Sequence, residues 1–147
     1  MLKNYEQGKL SRRKFIQGLA AIVATAQVAQ ASESTFQGVG INHIALRVTN
    51  ISRSREFYQK HLGLPVLSES QSSCFLRVGE EFLALFQGQE SRMDHYCLEI
   101  EDFNSDQVVE KLKQEGLNPR RPAGTNRVYF PDPDGLTVQL SSVHHRL

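Results

Sequence analysis

The sequence predicts an α+β fold in which two βαβββ modules pair into one curved sheet around a cavity. Three observations carry this expectation. Residues 40–48 alternate polar and apolar as a half-buried strand does, and residues 93–100 repeat the pattern, each with a histidine near its start, His43 and His95. A short helical segment follows each strand and ends in Gly-Leu, at Gly63-Leu64 and Gly116-Leu117. Short β-runs then complete each copy, at 73–78 and 81–86 in the first and 126–130 and 136–142 in the second.

The helices have readable ends. Ser52 is the expected N-cap of the first, with Phe57, Tyr58 and Leu62 turned inward and Gly63 closing it. In the second, Asn104 caps with Gln107 three positions on, and Val108, Val109 and Leu112 form one apolar face. Gly116 supplies the left-handed residue that lets the chain leave this helix.

Period-two alternation assigns the strand faces. Ile44, Leu46 and Val48 are expected to pack under the helices, which leaves His43, Ala45 and Arg47 facing the cavity. By the same count Tyr96, Leu98 and Ile100 pack, and His95, Cys97 and Glu99 face in. In the last strand Leu136, Val138 and Leu140 pack, while Thr137, Gln139 and Ser141 face in. The two histidines and Gln139 are therefore expected in one compartment, with Arg47, Cys97, Glu99 and Thr137 lining the substrate cavity. Arg47 and Glu99 have a second reading, as an ion pair or as groups reaching solvent at the rim.

The formal net charge of +1 conceals an uneven distribution. Lys3, Lys9, Arg12, Arg13 and Lys14 stand against Glu6 alone in the first 31 residues, and the remaining chain carries 12 basic and 15 acidic residues. A mildly acidic body excludes the electrostatic footprint of a nucleic-acid or anionic-lipid binder. The basic stretch 11–16, an alanine-rich run at 19–29 and the small-x-small Ala29-Gln30-Ala31 read as a targeting peptide. The run is too short and too polar for a stable membrane span. Arg12-Arg13 followed by Lys14-Phe15-Ile16 resembles a twin-arginine export signal, which implies export to the periplasm. The competing reading is an amphipathic helix packed on the domain. Expected organisation is thus a signal at 1–31, a linker at 32–37 and one domain at 38–147, with modules at about 38–90 and 91–147. Cys74 and Cys97 both fall in strand-like runs, which favours two small buried hydrophobes over a disulfide.

A paired module with an early histidine in each first strand, closing on Asp132-Pro133-Asp134-Gly135 and a polar residue four positions later, resembles the vicinal oxygen chelate superfamily of glyoxalases, bleomycin-resistance proteins and extradiol dioxygenases. The resemblance implies that His43, His95 and Gln139 are ligands of a divalent metal (Fe, Zn, Mn, Ni or Co) and that the chain forms a homodimer; the alternative for Gln139 is a hydrogen bond to one of the histidines. Most metal-using members have Glu where this chain has Gln139, and the counterpart of Gln139 in the first copy is expected at Leu85, which supplies no fourth donor. Tyr129-Phe130-Pro131-Asp132-Pro133-Asp134-Gly135 keeps the frame of the extradiol enzymes and implies a substrate-orienting catalytic role for Tyr129. The acid-base histidine of those enzymes has no counterpart between Pro119 and Val128. Two functions follow from the resemblance: a metal-dependent oxygenase or lyase acting on a small molecule with adjacent oxygens, or a metal-free protein that sequesters a small ligand in the same cavity.

Overall fold

The computed structural model describes residues 34–143. The chain divides into a unit at Met1–Gln37 and a unit at Gly38–Leu147. The targeting peptide expected at 1–31 lies outside the described residues.

Alternation and turn chemistry produce nine elements from Gly38 onward. They are β1 (Gly38–Val48), α1 (Ile51–Leu62), β2 (Val66–Glu69), β3 (Ser73–Val78), β4 (Glu81–Gln87), β5 (Arg92–Ile100), α2 (Ser105–Gln114), β6 (Val128–Pro131) and β7 (Thr137–Ser142). The seven strands form one sheet in the order β2-β3-β4-β1-β5-β7-β6. Each module repeats the same plan, with β4 parallel to β1 in the first and β7 parallel to β5 in the second. The antiparallel β1–β5 pair joins the modules. The fourth strand expected in the second module is reduced to one bridge, Arg120 with Tyr129. Pro119, Pro122 and Gly124 surround it, and residues without amide donors or with too much freedom do not extend a ladder. Among the described residues, no helix is long and apolar enough to cross a membrane.

Asn50, not Ser52, caps α1: its side chain accepts from the Arg53 amide at 2.9 Å. Gly63 closes the helix with φ 66°, as the sequence implies. Asn104 caps α2 and accepts from the Asp106 and Gln107 amides. Val48, Ile51, Cys74, Leu76 and Leu85 are buried together between sheet and α1, with Leu46, Tyr58, Leu64 and Leu83 against them. Each full burial of such a side chain stabilises by about 1.5–3 kcal/mol.

Four apolar residues expected to pack on the helix side are exposed instead, among them Leu136, which lies before β7 in the turn. Phe57 lies one helical step, about 100°, from the inward Tyr58, so both cannot face the sheet; Phe57 meets the His61 ring at a tilt on the surface. Leu62 is the last helical residue and is exposed. Ile44 sits on the central pair, and α1 contacts β3 and β4 while α2 contacts β6, so Ile44 and the neighbouring Met93 are left uncovered.

Candidate metal centre

The β1–β5 ladder is irregular where the chemistry is. β1 places Ile41, Asn42 and His43 against Leu98 and Cys97 of β5, so Asn42 is an extra, bulged residue. Three positions further along, β5 places His95, Asp94 and Met93 against Ala45 and Leu46, so Asp94 is the extra residue on that strand. A bulge re-aims side chains. Each module therefore presents the residue before its histidine beside the imidazole, where strict alternation assigns it to the opposite face.

The result is a continuous hydrogen-bonded chain across the modules. Asn42 Nδ2 donates to Glu99 Oε1 at 2.9 Å, and Asn42 Oδ1 lies 2.8 Å from His43 Nδ1. His43 Nε2 faces His95 Nε2 at 3.0 Å. His95 Nδ1 lies 2.9 Å from Asp94 Oδ1, and Arg47 Nε donates to Asp94 Oδ2 at 2.5 Å. Asn42 is fully buried, and His43 and His95 are 7% and 6% exposed. Gly40 gives Glu99 its room: a Cβ there would meet the carboxylate at 3.2 Å. Burial opposes ionisation of Asp94, but the hydrogen bonds from His95 and Arg47 outweigh it and hold the carboxyl below its ordinary pKa.

These partners fix the tautomers. An ionised carboxylate only accepts, so His95 Nδ1 carries the proton. The Asn42 amide donates to Glu99, so its oxygen faces His43, whose Nδ1 must also be the donor. Both Nε2 atoms of the neutral rings then carry lone pairs 3.0 Å apart, a proximity that a shared cation, a proton or a metal, would stabilise. Two imidazole nitrogens bound at about 2.1 Å and about 90° apart on one metal are separated by about 3.0 Å. The pair therefore fits a divalent metal. Stacking on Phe82, with centroids 4.4 Å apart, holds the His43 ring, and His95 and Tyr129 form a T-shaped pair.

The Asp132–Gly135 turn sets what stands opposite. Asp132 Oδ1 accepts from the Asp134 and Leu136 amides, and Gly135 takes φ 84°. This closes the β6–β7 hairpin in a register that pairs Tyr129 with Gln139, while β5 pairs Cys97 with Gln139. Directly opposed residues share a face. His43, His95, Tyr129, Gln139, Arg127 and the aromatic group Phe75, Phe82 and Phe86 line one cavity of about 80 Å³. A second cavity of about 500 Å³ shares Gln139 and Arg127 with it and continues along Thr125, Asn126 and Ser141. Burial pushes the Tyr129 phenol above its ordinary pKa against the pull of Arg127 and Arg120, so the hydroxyl stays a donor at neutral pH. Among the described residues, no three of His, Cys, Asp and Glu converge on a point that could hold a metal. The available donors are two imidazoles and the amide of Gln139.

Several expected positions need correction. The counterpart of Gln139 is Ala84, not Leu85: the parallel registers pair Ala45 with Ala84 and Cys97 with Gln139, two residues after each histidine. Leu85 is fully buried on the helix side. None of Arg47, Cys97, Glu99 and Thr137 is in the lining of the histidine cavity. Arg47 is taken up by Asp94 and the Gln87 carbonyl, and Glu99 by Asn42. Cys97 is buried against the Ser141 hydroxyl, and burial pushes its thiol up to about 11. Thr137 is a half-buried residue at the start of β7, paired with Pro131. Cys74 and Cys97 are free thiols, Cys74 in the helix-side core and Cys97 facing Ser141.

Asn42, Asp94, Arg127 and the phenylalanine wall are absent from the sequence expectation. A polar residue directly before each in-phase histidine, Asn42-His43 and Asp94-His95, is the signal that marks the first two.

Comparison with known proteins agrees with this geometry. The family model described as Glyoxalase/Bleomycin resistance protein/Dioxygenase superfamily matches residues 40–140. The chain is 31% identical over 113 residues to the metallothiol transferase FosB of Staphylococcus haemolyticus, covering 69% of this chain and 81% of that one. It is 30% identical over 121 residues to a lactoylglutathione lyase of Escherichia coli, covering 67% and 88%. An extradiol ring-cleaving dioxygenase from Brevibacterium fuscum superposes with a TM-score of 0.63 at 22% identity, over 73% of this chain but 33% of the dioxygenase, which shares the fold. The chain belongs to the glyoxalase/bleomycin resistance protein/dioxygenase superfamily.

Proposed function

We propose that this protein is a metal-dependent enzyme of the oxygenase or lyase type, acting on a small molecule with two adjacent oxygens. The observation that carries the reading is the His43–His95 pair: two Nε2 atoms 3.0 Å apart, each with its Nδ1 proton committed to a partner behind it. His43 and His95 hold a divalent metal, and the Gln139 amide oxygen is the third donor. Such a metal supplies Lewis acidity toward the oxygens of a bound substrate. Tyr129 donates a hydrogen bond that orients the substrate, and Phe75, Phe82 and Phe86 exclude water from one side. The histidine cavity alone is smaller than the roughly 300 Å³ of a common ligand pocket. The adjoining cavity behind Arg127 and Gln139 takes the remainder of the substrate.

The second reading is a metal-free binding protein. It is favoured by the neutral Gln139 and by Ala84 at the position that would supply a fourth donor. Metal content separates the two. Mature protein purified without chelator carries near-stoichiometric metal, and His43→Ala carries none, if the enzyme reading holds. A metal-free wild type after reconstitution with each candidate ion makes sequestration the leading account. Export through a twin-arginine signal is tested by Arg12→Lys with Arg13→Lys, which retains the protein in the cytoplasm. The homodimer is tested by light scattering on the mature chain, where a monomer mass contradicts it.

A further inference from the structure

We propose that Asp94 and the Asn42–Glu99 pair are positioning residues that supply, from behind the two imidazoles, the negative charge that Gln139 leaves out of the metal site. The inference rests on the metal-binding reading of His43 and His95.

Two imidazoles and an amide bring no charge to a dication, and a neutral donor set attracts a metal weakly. The structure places one carboxylate behind each histidine. Asp94 accepts directly from His95 Nδ1, and Glu99 accepts from the amide that orients His43 Nδ1. A carboxylate behind an imidazole raises the basicity of the opposite nitrogen, which is the nitrogen the metal uses. The Asn42 amide is neutral, so it transmits orientation to His43 without cancelling the charge of Glu99. Burial sharpens both effects, because Glu99 is 6% exposed and Asn42 is inaccessible.

The arrangement is built into the backbone twice. Each bulge, at Asn42 in β1 and at Asp94 in β5, serves the histidine that follows it. Gly40 leaves the space that the Glu99 carboxylate occupies. The two halves are not equal: Asp94 shares its charge with Arg47, while the charge of Glu99 reaches His43 through a neutral relay. Arg47 is therefore a brake on the His95 side. Removing it strengthens the site if charge is what Asp94 contributes, and weakens it if Asp94 needs Arg47 merely to hold its position.

The test is Co(II) titration of the mature protein under anaerobic conditions, followed by the visible absorption of the bound ion. Asp94→Asn and Glu99→Gln keep an acceptor oxygen toward His95 and Asn42 and remove the charge, and Asp94→Asn also gives up the hydrogen bond from Arg47, so it is read in the wild-type and the Arg47→Met backgrounds. The expected result is about 10–100-fold weaker Co(II) affinity in either variant, with the absorption bands of the loaded protein unmoved. Gln139→Glu added to either isosteric variant recovers about tenfold of that loss, and Arg47→Met tightens binding. Affinities within twofold of wild type in the two isosteric variants, or weaker binding in Arg47→Met, overturn the proposal while leaving the histidine site intact. A wild type that takes up no Co(II) overturns the site and the proposal together. Asp94 is partly exposed, so Asp94→Asn in the Arg47→Met background decides the matter if Glu99→Gln does not fold.

Discussion

The two modules share one plan and have divided its contents. Each contributes a histidine from its first strand, a bulged polar residue before it and a helix on the far side of the sheet. On the cavity side they part company. The first module places Phe75, Phe82, Ala84 and Phe86 around its histidine, and the second places Tyr129, Gln139 and Arg127 around its own. Ala84 and Gln139 occupy the same register position, so one pair of residues captures the divergence. The first half has become a wall that fixes a ring by stacking, and the second half holds the groups able to meet a polar substrate. Duplication provides the symmetric pair of histidines, and loss of symmetry provides a front and a back.

The largest expected effect tests the symmetric part. His43→Ala and His95→Ala each abolish metal retention, measured by mass spectrometry on the purified protein. Retention in one of them alone breaks the equivalence of the two modules. Tyr129→Phe, on the polar side, leaves metal content unchanged and lowers turnover by about 10²-fold, in the range of losing one oriented donor. Phe82→Ala, on the apolar side, removes the ring that stacks on His43. It costs up to about 3 kcal/mol by denaturant titration, at the low end for a large core aromatic because the site borders a cavity. Gln139→Glu tightens metal binding by roughly tenfold, the effect of one added carboxylate in a second-module position. Weaker binding places Gln139 outside the coordination sphere.

The smallest effect concerns pH. Burial holds the Cys97 thiol up to about 11, above its ordinary value of 9.0. Below pH 9 the folded and unfolded chains both keep this proton. Between 9 and 11 the unfolded chain releases it and the folded chain does not, so stability falls across that window. Cys97→Ser removes this part of the decline in thermal melts.

The duplication, the strand and helix order and the phase of both histidines are legible in the sequence, because period-two alternation survives from His43 to Val48 and from His95 to Ile100. What alternation cannot reveal is a bulge. Asn42 and Asp94 read as residues of the opposite face, since an extra residue on one strand depends on its partner strand. The same blindness puts the counterpart of Gln139 at Leu85 instead of Ala84, because parallel register is set by the three-dimensional pairing of β1 with β4. Arg47 and Glu99 are correctly placed on their strands, yet neither remains available to line the cavity once Asp94 and Asn42 claim them. Arg127 stands just before β6, two residues ahead of Tyr129, where local pattern carries no facing information. Loss of the fourth strand in the second module is foreshadowed by Pro119 and Pro122.

The central claim is that His43 and His95 grip one cation through facing Nε2 atoms. X-ray absorption on the Co(II)-loaded protein addresses it directly. The account predicts two imidazole nitrogens at about 2.1 Å with oxygen donors completing the shell, and loss of the imidazole scattering in His95→Ala. A loaded protein whose metal sees one imidazole or none contradicts it.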